Sequence, residues 1–148
     1  MGDHYLLLKL LHIFVALVAL GTSASLGIVL EFYADDATHG SFVLRAIERM
    51  TVLVVFPGYL LMLATGLWMA SLAWPFTARW IQLALGLWAV GIASLGWSFA
   101  SVRKQRSLHA IEGYASPRYR RAAIVSRVSG GSFGLVVVAI LYLMVCKP

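Results

Sequence analysis

Apolar residues run along this chain in four long blocks, each closed by a short polar stretch. The first block covers roughly residues 5–30, opens "YLLLKLLHIFVALVAL" and ends at "EFYADD". The second covers roughly 50–74, the third roughly 79–102 and the fourth roughly 122–146. Each reaches the ~20 residues a helix needs to cross about 30 Å of hydrocarbon. The alternation of a membrane barrel is absent. A backbone facing lipid must satisfy its own hydrogen bonds, so the blocks predict helices. The connections between them are short, and short connections favour antiparallel neighbours. The expected fold is all-α: four transmembrane helices in an up-down bundle, forming one integral membrane domain over residues 1–148.

Composition strengthens this reading. Of 148 residues, 61% are hydrophobic and 12% charged, and the mean hydropathy is +0.85. A soluble domain carries about 25% charged residues. One soluble core of this size could not hide so much apolar surface. The start "KLLHIFVALVALGTSAS" has the look of a cleavable leader, with a basic residue, an apolar run and a small-residue exit. The apolar run continues to Leu30, which predicts a retained first span. With one cysteine, Cys146, no intrachain disulfide is available.

The net charge of +6 changes meaning in a membrane. The connection "RKQRSLHAIEGYASPRYRR" holds six basic residues against Glu112. The positive-inside rule makes it cytoplasmic and puts both termini outside. Anionic lipid is then the partner of the basic residues. No zinc-finger spacing, recognition helix or Gly-rich phosphate loop suggests nucleic acid. Paired catalytic carboxylates, a Ser/His/Asp set and HExxH are also missing, so hydrolysis has no support.

Small residues mark expected helix contacts, because lipid gives helices no hydrophobic reason to associate. Gly130 and Gly134 form a GxxxG, with similar spacings at Gly21/Ser25 and Ser23/Gly27. Pro57, beside Gly58, predicts a kink in the second span.

His12 is the candidate for chemistry. At 100° per residue, Ala16, Ala19, Ser23 and Gly27 fall within about 60° of it. The histidine therefore heads a stripe of small residues that either meets another helix or leaves room for a flat ligand. A polar side chain at membrane depth should face protein. Three roles are open to it: a neutral imidazole bonded to a nearby hydroxyl or carbonyl, a haem ligand, or another metal or substrate contact. A second axial donor would be Met62, Met69 or His12 of a second copy; otherwise the iron stays five-coordinate. His39 and His109 are expected in solvated connections. His4, Met69, Met144 and Cys146 share a depth, and their soft donors suit copper. Arg127 either snorkels to the interface or pairs with Glu48.

Two stretches carry a resemblance. The opening "YLLLKLLHIFVALVALGTS" and the ending "SPRYRRAAIVSRVSGGSFGLVVVAILYLMVCKP", with "FPGYLLMLATGL" between them, resemble the bacterial membrane family called domain of unknown function 2269. The resemblance implies a four-span inner-membrane protein. More distantly, Leu8 to Ile13 resembles the "LKxLHI" first span of HemJ-type protoporphyrinogen oxidases and the copper-resistance D type. It implies haem ligation by His12. In "WIQLA", Gln82 stands where the HemJ type has histidine and Ala84 where it has lysine, so oxidase activity does not carry over.

The expectation is a small inner-membrane protein that binds haem b or serves redox chemistry, with His12 as axial ligand and Ala16, Ala19 and Ser23 beside the cofactor. The alternatives are a structural or accessory subunit without cofactor and a copper-handling protein. The expected partners are membrane lipid and a homodimer or larger membrane complex. The charge pattern makes a topology prediction: a reporter active only outside the cytoplasm should be silent after Ser107 and active after Pro148. Activity at Ser107 with silence at Pro148 reverses the orientation.

Overall fold

A computed structural model describes residues 3–146. The elements are α1 (Asp3–Tyr33), α2 (Gly40–Met50), a π-helical turn (Thr51–Val55), α3 (Phe56–Ala73), α4 (Arg79–Glu112) and α5 (Pro117–Cys146). No strand occurs among the described residues. With α2, the π turn and α3 taken as one run, four helices among the described residues are long and apolar enough to cross a membrane.

The helices outrun the apolar blocks at one end. The second starts at Gly40, the third continues to Glu112 and the fourth begins at Pro117. Hydropathy stops where lipid stops, but Lys, Arg, Gln and Glu are good helix formers and carry the helix into water. True connections shrink to residues 34–39, 74–78 and 113–116. Each has a local cause. Asp36 Oδ1 accepts from the backbone N–H of Thr38 and His39, at 2.8 and 2.6 Å. Those two donors hold its carboxyl below the ordinary carboxylate range. Trp74 precedes Pro75 and is extended, as that position requires. Gly113 ends α4 with φ 77°, a conformation other residues rarely adopt. Pro117 opens α5, and Ser116 Oγ accepts from Tyr119 N–H at 3.0 Å.

The expected kink has a specific form. Pro57 has no N–H, and its ring crowds the preceding turn. The chain widens before it: the Phe56 N–H reaches back to Thr51 O, a π-type bond.

α1 packs on α3, and α4 packs on α5 along most of their length. The two pairs meet chiefly at the end carrying α2 and the connection between α4 and α5, here called the basic end. There Leu30, Ala34, Leu44, Ile47, Val102, Tyr119 and Ala123 form a buried cluster. Mid-bundle, Tyr59 bridges the pairs. Its ring stacks on Trp88 at 5.4 Å and tilts against Phe133. Tyr59 Oη donates to Trp88 O, and Trp88 Nε1 donates back to Tyr59 O. Gly91 leaves room for that hydroxyl, which any Cβ there would strike.

The outer surface is apolar. Leu17 is 69% exposed, Leu135 75% and Val145 80%. In the most apolar window of each spanning helix only 11% to 22% is buried. Such a surface needs lipid around it.

Of the GxxxG pair, Gly130 lies against α4 and Gly134 meets no helix of this chain. Gly134 is exposed with nothing near it. A Cβ at Gly130 would meet only Ser98 Oγ, at 3.7 Å. The tight approach is at Gly58, where a Cβ would lie 2.5 Å from that of Ala19. Spacing identifies small residues; it does not say which face meets a neighbour. We therefore expect Gly58→Leu to cost about 1–3 kcal/mol through overpacking and to lower the melting temperature in detergent, with Gly134→Leu near neutral. The reverse order would misplace the α1–α3 contact.

Candidate functional site

Two polar assemblies interrupt the apolar interior. The first is at His12. Its Nδ1 lies 2.7 Å from Thr65 Oγ1 on α3. The Thr65 hydroxyl donates to Leu61 O, also at 2.7 Å. A hydroxyl has one proton, so with that proton on Leu61 O it can only accept from His12. This makes Nδ1–H the donor and leaves the lone pair on Nε2. No described residue pairs with Nε2. The imidazole rests on Gly66, where a Cβ would come 3.2 Å from Cε1. A side chain there would crowd the ring and force it to shift slightly.

The stripe below His12 also lies toward α3. Ala19 is 1% exposed and closes against Gly58. Ala16 and Ser23 are half-buried, and Gly27 is exposed. At Ala19 the stripe is thus a direct helix contact. Met62 and Met69 flank Thr65 on α3, both half-buried. As chemistry, the arrangement offers one imidazole of fixed tautomer with an uncommitted nitrogen. That suits one axial bond to a haem iron, because a ligating histidine has its other ring nitrogen held by a hydrogen bond.

The second assembly lies at the basic end. Tyr119, 1% exposed, donates from Oη toward Ala34 O at 2.7 Å, with Asp35 Oδ1 a second acceptor at 2.9 Å. The same oxygen accepts from Gln105 Nε2 at 3.0 Å. Gln105 Oε1 in turn accepts from Ser126 Oγ. Arg127 reaches Asp35 Oδ2 at 2.6 Å and Glu31 Oε2 at 2.9 Å. One chain of bonds therefore ties the end of α1 to α4 and α5. Further along the α4–α5 seam, Ser132 bonds Ser94 at 2.8 Å.

Arg127 does not pair with Glu48, as the sequence suggested. Glu48 faces α4 and is taken by Arg106 at 3.0 Å, with Arg103 at 4.0 Å. At that end α5 has α1 beside it, and α1 and the residues just after it supply the acids. His39 is exposed and bonds Asp36, as a connection residue should. His109 is not in a connection. It lies in α4, edge-on to Tyr119 at 5.5 Å, with Nε2 buried and unpartnered among the described residues. His4 lines an apolar groove of about 810 Å³ with Trp68 and Leu72. Cys146 is exposed. Among the described residues no three His, Cys, Asp or Glu side chains group as a metal site.

Sequence reasoning missed Tyr119, Gln105 and Ser126. A signal was present: Ser126, Ser129 and Ser132 recur every third residue and mark a polar face of α5. Tyr119→Phe should strand the Gln105 amide and cost about 1–3 kcal/mol, seen as a lower melting temperature in detergent. Unchanged stability would make the phenol dispensable.

In comparisons with known proteins, the family described as "Predicted integral membrane protein (DUF2269)" matches residues 6–148. The searches of curated proteins and of solved structures found no match.

Proposed function

The chain belongs to the DUF2269 family of integral membrane proteins, and from that premise we propose a bacterial inner-membrane protein that presents His12 as an axial ligand to haem b. The charge pattern supports an orientation with both termini outside the cytoplasm. Apart from Lys9, Arg79 and Lys147, every Lys and Arg lies at the basic end, which this reading makes cytoplasmic. His12 then sits toward the outer side.

One observation carries the haem reading: the Thr65 hydroxyl fixes the His12 tautomer and leaves Nε2 free. A bound haem would supply one-electron iron chemistry. The protein's part is to hold the imidazole at a set angle, Thr65 fixing its tautomer and Gly66 its tilt. The Ala19–Gly58 contact leaves no slot for the macrocycle between α1 and α3 at that level. In this reading His12 of a second copy would hold the iron's other side, and the working form would be a homodimer. The same contact favours a second reading, an accessory membrane subunit in which His12 only joins α1 to α3.

Visible spectra decide between them. Wild type expressed with haem precursors should show a Soret band that His12→Ala removes. Thr65→Val should weaken haem retention about 10- to 100-fold, as for other groups that orient a ligand. A colourless wild type, or an unshifted Soret band in His12→Ala, ends the haem reading and leaves the accessory subunit.

A further inference from the structure

The acids of the basic end are all engaged. Arg127 holds Glu31 and Asp35. His39 holds Asp36, Arg106 holds Glu48 and Arg118 holds Glu112. No described acidic side chain pairs with Arg45, Arg49, Lys104, Arg120 or Arg121. Of these, Arg120 lines a cleft. That cleft, of about 390 Å³, lies between Asp35, just after α1, and the first turns of α5. Asp35, Tyr114, Tyr119 and Arg127 form its polar wall, and Ile124 its apolar one.

Ile124 continues the cleft onto the lipid-facing side of α5. At helical spacing come Val128, Gly131 and Leu135, all exposed. Gly131 has nothing near its Cβ position, so the stripe is lowest there. The polar end of this path holds a cation with no acidic protein partner among the described residues, at the depth where the apolar helix surface gives way to charge. A free anion would use only the polar end. An amphiphile with an anionic head and an acyl chain would fill both.

We propose that the cleft between Asp35 and α5 binds the headgroup of an anionic phospholipid, with Arg120 on the phosphate and an acyl chain along Ile124, Val128, Gly131 and Leu135. Arg127 is engaged by Glu31 and Asp35 together, so Arg120 is left as the cleft's cation without an acidic partner among the described residues. The site depends on no haem.

The test uses the full chain in mild detergent. Phosphatidylglycerol should raise the melting temperature, and phosphatidylcholine or inorganic phosphate at equal concentration should not. Arg120→Ala should raise the half-saturating phosphatidylglycerol concentration about fivefold, the equivalent of about 1 kcal/mol for one basic residue at a membrane surface. Arg120→Lys should keep most of the effect. Arg121→Ala removes an equal charge outside the cleft and should leave it unchanged. Equal losses in Arg120→Ala and Arg121→Ala would reduce the effect to general surface charge and overturn the site. So would no response to phosphatidylglycerol, or an equal response to phosphatidylcholine or phosphate.

Discussion

The architecture depends on one phenol. In lipid a polar group finds its partner inside the protein or pays for its isolation. Tyr119 Oη gathers a carbonyl at the end of α1, an amide on α4 and its own helix α5 around one oxygen. Arg127 repeats the tie one layer further in, through Glu31 and Asp35. These bonds have geometric requirements that apolar contact lacks, so they fix which helices adjoin. Lipid tails, as apolar as leucine, could not impose that choice.

Away from that end the two helix pairs are held differently. α1 and α3 approach until Ala19 fills the space a side chain at Gly58 would need. α4 and α5 share hydroxyls, with Ser94 on Ser132. Between the pairs stand Tyr59, Trp88 and Phe133, large rings that act as spacers. His12 belongs to the tightly packed pair. Its ring is held by contact on Gly66 as well as by its bond to Thr65. Such a ring has little freedom to reorient, which suits a fixed ligand and a helix fastener alike.

The spans were legible because lipid sets their length and polarity, and both can be read residue by residue. The ends were not, because the same basic residues that close a hydropathy block can continue a helix; α4 runs on to Glu112 for that reason. A hydroxyl partner was one of the roles open to His12, and Thr65 supplies it, yet nothing in the sequence says that α1 and α3 adjoin at that depth. Arg127 shows the same gap. Its need for an acid was visible, but the choice of Asp35 and Glu31 over Glu48 depends on which helix stands beside α5. Gly58, beside Pro57, read as part of a kink, although its absent side chain is what admits Ala19.

The widened turn ahead of Pro57 also sets rotational phase. An α-helix turns about 100° per residue. A π turn takes up roughly one extra residue with little change in helix length, so α3 is rotated by about that angle relative to an unbroken helix. On the near side of Thr51–Val55, Glu48 faces α4; on the far side, Gly58 and Thr65 face α1. The segment works as a coupling between two gears cut on one shaft. The polar half can mesh with α4 and the apolar half with α1, and neither set of contacts dictates the angle of the other.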